Sequence, residues 1–557
     1  MKIKIKISLV LLSCCLLSMV SWADKVQEGI ELYKCGLTLP AKQVLLSELQ
    51  KNGPEAAEIC YYLGEIYSLI PRSDSALFYY RQGLAIDPAY LQNRVGEGKL
   101  MLVEEPYKAE EIFKEVLSGK NKKNVGLILA VARAYAENDP EKATEYLQRA
   151  KKIDDQQAGI YVLAGDLLLE KGNNGEACNQ YEQAIYFDPS CTEAYVKYAR
   201  IYARSNVQSG IDMLRRLLDK RSDCMLAHRE LGEICYEHSR YQEAAQAYEK
   251  CISSVCCSTR EQTRYATVLF YYGDYKHSLE VARQVAELEP QNQVVQRLMM
   301  YNSYALKAYR EGLAQAEKFF QSVSPEDIIG QDYWYYGRLL KATEAYEQAI
   351  PWLKKSLQLD SANTQIYREI ATSWEKLNCY DSAAVYYSGL IALGGKELTL
   401  ADYFKLGQCH YLASAEADSS AAGIKHRNEH LRLADSIFGY VAAQKPDSYL
   451  GNFWRARVNS ALDPETEQGL ARPYYQAAAQ ILEKDTRKKL KLIIECYSYL
   501  GYYYYLQKDI PESKTYWNKI LNLQPENEVA RKAIEGDRKS TRLNSSHSGE
   551  SRMPSSA

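Results

Sequence analysis

The sequence offers one pattern suited to metal-dependent chemistry, His426-Arg427-Asn428-Glu429-His430. Two His residues one helical turn apart can bind zinc, and the Glu between them can activate water, as in the H-x-x-E-H arrangement of certain zinc peptidases. The surrounding segment is charged, however, and no third carboxylate ligand can be recognised in the sequence. We favour the alternative, a solvated helix face, and predict no catalytic residues, no metal and no cofactor.

Other catalytic patterns are missing from the sequence. It contains no G-x-S-x-G nucleophile pattern, no phosphate-binding P-loop and no dinucleotide fingerprint. Three carboxylates, Asp74, Asp274 and Asp381, recur near expected turns between helices, where an Asp suits an N-cap better than catalysis. The remaining His residues of the repeats are isolated in sequence, and we interpret them as ordinary helix residues: His228, His238, His277 and His410.

The elements that must position any site are helices, as the stretch Ala158–Pro189 shows. Its informative positions are Gly165, Ala177, Tyr181, Ala184 and Pro189. Small residues let two neighbouring helices approach closely, an aromatic ring and a small residue share one face of the second helix, and a proline stops that helix. The stretch is therefore predicted to form a helical hairpin.

The same signature recurs along almost the entire chain. It resembles the tetratricopeptide repeat, a helical hairpin with a period of 34 residues. The resemblance implies an all-α fold, a right-handed superhelical α-solenoid of about fourteen hairpins that form one long array. The repeats are predicted near residues 24–54, 57–90, 91–123, 124–157, 158–191, 192–224, 225–258, 259–292, 293–329, 330–363, 364–399, 400–448, 449–493 and 494–527.

Three segments depart from the repeat. Residues 413–430 are a polar and then charged insertion in the repeat 400–448, and we expect a long loop followed by an extended second helix. Residues 526–535 are expected to form a polar capping helix, so that the solenoid spans residues 24–538. Residues 539–557 have many Ser and no apolar periodicity, so they are predicted to be disordered, and they resemble a translated sequencing-adaptor artefact.

The N-terminus has the features of an export signal. Three Lys residues precede an apolar run, and Ser21-Trp22-Ala23 offers small residues at a cleavage spacing. We predict a signal peptide over residues 1–23, cleavage after Ala23 and a periplasmic or extracellular location. The alternative is a lipid anchor at Cys14, because the residues before it loosely resemble a bacterial lipobox. No transmembrane helix is predicted in the mature chain.

Composition disfavours one class of partner and leaves the redox state of the cysteines open. A net charge of -2 over 557 residues, without a long basic run in the repeats, gives no reason to expect nucleic acid. Among 14 Cys residues, Cys224, Cys251, Cys256 and Cys257 form the local cluster. An oxidising compartment would allow one disulfide there, but spacing alone does not pair these residues.

The family resemblance also implies a binding surface. Ligands of tetratricopeptide repeats usually lie in a concave groove lined by the first helix of each hairpin. In this sequence the corresponding positions alternate guanidinium, ammonium and aromatic groups: Arg200, Arg229, Tyr236, Arg260, Phe270, Arg297, Tyr301, Tyr304, Trp334, Arg338, Lys341 and Arg368. Such groups suit an extended acidic or aromatic peptide, or a stacked glycan. The alternative is internal pairing with groove acids such as Glu193, Glu233 and Glu375.

The predicted function is that of a non-catalytic protein-interaction scaffold of the bacterial cell envelope. Its partners would be proteins or peptides bound in the groove. Two alternatives from other classes stay open: a zinc metallopeptidase that uses residues 426–430, and a glycan-binding or ligand-sensing ectodomain of an envelope system.

Overall fold

The computed structural model describes residues 25–69, 74–485 and 489–535. Within these ranges the chain is all-helical, which confirms the predicted α-solenoid class. None of the helices in this part of the chain is long and apolar enough to cross a bilayer. The predicted signal peptide 1–23, with Cys14, and the predicted tail 539–557 lie outside the described residues. The chain divides into two compact units after Leu306.

The first unit contains the helices of residues 25–305. They are α1 (25–34), α2 (Thr38–Leu49), α3 (Ala56–Ser68), α4 (Asp74–Ile86), α5 (Gln92–Met101), α6 (Pro106–Val116), α7 (Val125–Tyr135), α8 (Pro140–Ile153), α9 (Ala158–Glu170), α10 (Asn174–Phe187), α11 (Thr192–Tyr202), α12 (Val207–Leu218), α13 (Met225–Glu237), α14 (Tyr241–Cys251), α15 (Thr259–Tyr272), α16 (Tyr275–Leu288) and α17 (Gln293–Ala305).

The second unit contains the helices of residues 309–535. They are α18 (Tyr309–Ser322), α19 (Gly330–Ala342), α20 (Tyr346–Leu359), α21 (Thr364–Lys376), α22 (Tyr380–Leu393), α23 (Leu400–Glu416), α24 (Ala421–Gln444), α25 (Tyr449–Leu462), α26 (Arg472–Leu482), α27 (Leu490–Leu506), α28 (Ile510–Leu523) and α29 (Glu528–Glu535). Short 3-10 turns cover Gly119–Lys123 in the first unit, and Pro325–Asp327 and Glu483–Asp485 in the second.

The hairpin of α9 and α10 shows how the repeat signature becomes packing. Gly165 of α9 lies against the ring of Tyr181 in α10, where an added Cβ would be 2.6 Å from ring atom Cε1. The ring is fully buried, while its hydroxyl donates a hydrogen bond to Asp166 at 2.8 Å. The small residue therefore makes room for the aromatic ring, and the phenol keeps a polar partner.

First helices of neighbouring hairpins also contact each other. Such pairs include α3 with α5, α5 with α7, and α15 with α17 in the first unit, and α19 with α21 in the second. We call the first helices of the hairpins in each unit its first-helix layer: α3, α5, α7, α9, α11, α13, α15 and α17 in the first unit, and α19, α21, α23, α25 and α27 in the second. Polar side chains on this layer can bridge one repeat to the next.

The long loop predicted within residues 413–430 is wrong. Helix α23 continues to Glu416, and only residues 417–420 separate it from α24. The Ala-rich sequence favours continuation of the first helix, and the Ser420 hydroxyl caps the second by accepting a hydrogen bond from the Gly423 N–H at 3.0 Å. The second half of α24 carries buried Leu431 and Phe438, which attach the long helix to the core.

The cysteines of the predicted cluster are free thiols. The sulfur atoms of Cys251 and Cys257 are 3.4 Å apart, and those of Cys256 and Cys257 are 4.0 Å apart. Cys224 lies instead at the residue before α13. Because a disulfide needs sulfur atoms about 2.05 Å apart, oxidation would join Cys251 to Cys257 with the smallest movement of the sulfurs.

Candidate functional site

All residues predicted to line the groove lie on first helices, but four of their cations already bind carboxylates: Arg200, Arg229, Arg338 and Arg368. In the first unit, Arg200 of α11 binds both oxygens of Glu230 at 2.7 and 2.8 Å. Arg229 of α13 binds Glu230 at 2.5 Å and Glu261 of α15 at 2.7 Å. Arg229 is only 4% exposed. These contacts form a buried ion-pair chain across three repeats.

The pKa of Glu261 shows how strongly this chain holds its charges. Burial alone would raise the pKa of this carboxyl, yet hydrogen bonds from Ser258 and the positive charge of Arg229 keep it below its usual range. Ser258 also donates its backbone N–H to Glu261 at 2.9 Å as part of a capping box at the start of α15. Glu261 is thus both a helix cap and the counter-ion of Arg229.

The aromatic members of the predicted groove in the first unit pack within the protein. Phe270 and Tyr301 lie with ring centroids 5.9 Å apart, and the guanidinium of Arg264 lies over Tyr236 at 5.4 Å. Tyr301 is buried, Arg297 and Tyr304 are half-buried, and Arg260 is exposed. In this part of the layer, Arg260 is the predicted groove residue most accessible to solvent.

Helix α1 lies on the first-helix layer of the first unit. The Tyr33 hydroxyl donates to Glu65 of α3 at 3.3 Å, and Glu31 accepts hydrogen bonds from Thr192 of α11 at 3.2 Å and from Arg221 at 3.0 Å. Arg200 also donates to the Cys35 carbonyl at 2.7 Å. A segment predicted from its sequence to be an N-terminal cap therefore also contacts repeats more than 150 residues further along the chain.

Apolar burial supports this placement of α1. Val26, Ile30 and Leu32 are at most 3% exposed and belong to the core cluster of the first unit. Since these positions do not share one narrow helical face, α1 is covered on more than one side. Helix α1 is therefore an integral part of the first unit.

In the second unit the predicted groove residues lie on α19 and α21. Trp334 donates its indole N–H to Glu369 at 3.1 Å, and the guanidinium of Arg338 lies 3.2 Å from the same carboxylate and 4.8 Å from the Trp334 ring centroid. Arg368 binds Asp402 of α23 through two hydrogen bonds of 2.8 and 3.0 Å. The contacts with Glu369 and Asp402 each join one first helix to the first helix of the next repeat.

Lys341 of α19 has a less favourable setting. Its ammonium donates to the Thr372 hydroxyl at 2.7 Å, and the side chain is half-buried. Burial lowers the pKa of Lys341, as does the adjacent Arg338, while Glu369 and Glu375 partly offset these effects. Keeping the Lys341 ammonium charged in the folded protein therefore lowers the free energy of unfolding.

The acids proposed in the internal-pairing alternative bind other cations. Glu193 binds Lys197 at 2.7 Å, Glu375 binds Lys405 at 3.1 Å, and Glu233 pairs with Arg264. The predicted groove arginines do pair internally, but mostly with acids about one repeat further along the chain, at Glu230, Glu261, Glu369 and Asp402. Internal pairing of these groove arginines is therefore present, but their partners are not the acids named in the prediction.

The residues 426–430 take part in a second cluster. His426 and His430 of α24 each place Nε2 3.5 Å from a carboxylate oxygen of Asp381 on α22. The three ligand atoms lie within 4.8 Å of one another, and His430 Nδ1 is 3.1 Å from His410 Nδ1 on α23. Asp274 is an N-cap as predicted, but the N-cap of α22 is Cys379, so the same prediction for Asp381 is wrong.

The repeats of the chain match a known family. The family model described as the tetratricopeptide repeat matches residues 57–90, 158–191 and 202–253. These segments correspond to hairpins α3–α4 and α9–α10, and to a third region that includes α12 and α13. This chain contains tetratricopeptide repeats. No curated protein matches it.

Solved structures similar to this chain include three bacterial proteins. The C-terminal part of a TPR repeat-containing protein from Cytophaga hutchinsonii is 26% identical, covering 49% of this chain and 99% of that one, with a TM-score of 0.39. PilF from Pseudomonas aeruginosa is 18% identical, covering 39% and 96%, with a TM-score of 0.30. MamA from Desulfovibrio magneticus RS-1 is 16% identical, covering 30% and 94%, with a TM-score of 0.28.

Sequence reasoning missed two features of this chain. Glu31 contacts a repeat 161 residues away and Asp381 contacts the next hairpin, and no local pattern distinguishes either residue. A signal did exist for the acids of the ion-pair chain, because Glu230, Glu261 and Glu369 each follow a groove Arg by roughly one repeat length. Comparing charges at that spacing would have identified these carboxylates.

Proposed function

We propose that the chain is a non-catalytic interaction scaffold whose second unit binds an acidic polypeptide segment on its first-helix layer. Its tetratricopeptide repeats indicate a fold of the protein-interaction kind. An array of hairpins presents an extended surface, which suits a polypeptide better than a small molecule. The proposal adds to the fold a specific surface and the chemistry of the partner.

The observation that carries the proposal is the setting of Lys341. A cation kept half-buried at a cost to stability is typical of binding sites, because a ligand carboxylate relieves that cost. Trp334, Arg338 and Lys341 are four and three residues apart along α19, so they lie on one face of the helix. A carboxylate that reaches this face meets an ammonium and a guanidinium together.

The neighbouring acids favour a particular kind of peptide. Glu369 lies beside Arg338 and Trp334, and Asp402 occupies the guanidinium of Arg368. These carboxylates reduce the positive charge of the surface, so a uniform polyanion gains little from it. Carboxylates spaced along an extended peptide, with an apolar residue against Trp334, fit better.

The first unit is not assigned this role. Helix α1 lies on its first-helix layer, where Tyr33 binds Glu65 of α3 and Glu31 binds Thr192 of α11. A peptide would have to displace a helix with buried Val26 and Ile30 before it reached these positions.

A peptide array with matched charge variants tests the proposal. Lys341→Glu and Arg338→Glu should each weaken binding of acidic peptides by about tenfold or more, which corresponds to about 1.4 kcal/mol. Lys318→Glu makes the same charge change at an exposed position on α18 and should leave binding unchanged. Equal loss in all three variants would indicate a general charge effect, and no loss in either α19 variant would refute the proposed surface.

We further propose that the chain is exported and acts in the cell envelope. The support is the sequence of residues 1–23, with its basic start, apolar run and small residues before Asp24. Mass spectrometry of the mature protein should find Asp24 as the first residue. An acylated Cys14 at the N-terminus would establish the lipoprotein alternative instead.

A further inference from the structure

We propose that Asp381, His426 and His430 form a zinc site that joins α24 to α22. The function proposed above requires no metal, so this site is independent of it. The cluster combines two imidazole nitrogens with one carboxylate oxygen, from two helices that belong to successive hairpins.

The distances suit a tetrahedral metal ion. Zinc binds His nitrogen and carboxylate oxygen at about 2.0–2.2 Å, so two ligands of one tetrahedral ion lie about 3.4 Å apart. Oδ2 of Asp381 is 3.5 Å from Nε2 of His426, and Oδ1 of the same carboxylate is 3.5 Å from Nε2 of His430. Both imidazoles therefore already face the carboxylate at nearly the separation that a shared ion requires.

The part of α24 that carries both His residues belongs to the insertion at residues 413–430. His426 and His430 are four residues apart on α24, so they project from one face of the helix. They lie in its first half, before the buried Leu431, and Asp381 lies in the first turn of α22. Bound zinc would thus tie the added first half of α24 to the preceding hairpin.

His410 supplies a partner that orients one ligand. Its Nδ1 lies 3.1 Å from Nδ1 of His430, and His410 is only 9% exposed. When Nε2 of His430 binds a metal, its proton is on Nδ1, which can donate to Nδ1 of His410. Metal-ligating His residues commonly have such a partner, and its removal typically costs about 10–100-fold in metal affinity. His410 is therefore a positioning residue in this proposal.

The donor set favours zinc over hard cations. Calcium and magnesium prefer oxygen ligands, whereas imidazole suits zinc and related transition metals. Three protein ligands leave a fourth position for water or for a partner's side chain. His426 and Asp381 have side chains 44% and 56% exposed, so an ion can reach the site from solvent.

Zinc titration of the untagged full-length chain, after treatment with a chelator, tests the site. We expect one zinc per chain, with affinity reduced by more than 10-fold in each of Asp381→Ala, His426→Ala and His430→Ala. His277→Ala is the matched control, because His277 is an exposed His 2.6 Å from an Asp carboxylate but lies outside the cluster. Circular dichroism should show wild-type helix content in every variant, since the replaced side chains are not core residues.

Cobalt substitution provides a readout that identifies the ligands. A cobalt-loaded chain should show visible absorption typical of tetrahedral nitrogen and oxygen ligands, and His410→Gln should weaken binding without changing the stoichiometry. Thiolate absorption that disappears in Cys257→Ser would place the metal at the cysteine cluster and overturn the proposal. Unchanged zinc affinity in both Asp381→Ala and His426→Ala would overturn it as well.

Discussion

In the first unit, Arg200 of the first-helix layer binds both Glu230 of the next first helix and the Cys35 carbonyl next to α1. In the second unit, Arg368 lies at a different repeat position but binds Asp402 of the next first helix with similar geometry. The two layers therefore share a repeat-to-repeat ion pair. They differ in that the first also holds a helix of its own chain.

This difference shows how the same repeat can either stabilise the protein internally or present a surface to a partner. In both units, ion pairs between neighbouring first helices connect successive hairpins, and we call each such series of ion pairs a ladder. In the first unit, where Arg200 also binds the Cys35 carbonyl next to α1, Arg229 of the same ion-pair chain is buried. Where residues such as Trp334 and Lys341 remain half-buried on the layer, the same residue types can meet a partner.

The largest expected effect comes from breaking the buried part of the ladder. Arg229→Met leaves Glu230 and Glu261 buried without their common cation, which should cost about 3–5 kcal/mol of unfolding free energy. Arg368→Met in the second unit should cost about 1 kcal/mol, because its guanidinium is 25% exposed. Denaturant unfolding, with hydrogen exchange to localise the change, measures both. Equal losses would show that the two ladders do not differ in the way described.

The next effect tests whether α1 is an integral part of the first unit. Ile30→Ala removes a side chain that is 3% exposed and should cost about 2–5 kcal/mol. Amides of α11 should then exchange faster, while those of α19 keep their wild-type rates. Gln27→Ala on the exposed side of α1 should change stability by about 0.5 kcal/mol or less. Unchanged exchange in α11 would contradict the placement of α1.

The smallest effect concerns the charge of Lys341. Since its pKa is lowered in the folded state, the cost of the charge is fully present below the folded pKa and disappears as pH rises towards the ordinary value of 10.5. Lys341→Met should therefore raise the unfolding midpoint at neutral pH, and its advantage over wild type should shrink at alkaline pH. A variant less stable than wild type at neutral pH would show that the ammonium contributes to stability instead.

The fold could be predicted because its information is local. Gly165 and Tyr181 are close in sequence, and their contact recurs in other hairpins, as at Gly64 with Tyr80 and Gly407 with Phe438. The continuation of α23 to Glu416 was harder to predict, because a polar composition is typical of a loop. The N-cap Ser420, which marks the start of α24, was the signal that the connection is short.

The candidate sites could be predicted only in part. The pattern of His426 and His430 was visible, but Asp381 is 45 residues before His426 and has no distinguishing neighbours. The contact of Arg200 with the Cys35 carbonyl spans 165 residues. Such contacts depend on how several repeats stack, which no single repeat encodes.

Photo-crosslinking most directly tests the claim that α1 covers the layer of the first unit while the layer of the second binds the peptide. Benzoylphenylalanine would replace Tyr62, whose ring centroid lies 5.6 Å from that of Tyr33, or Trp334. With acidic peptides that the wild-type chain retains, we predict a peptide crosslink at position 334 and a crosslink to α1 within the chain at position 62. A peptide crosslink at position 62 and none at position 334 would contradict the account.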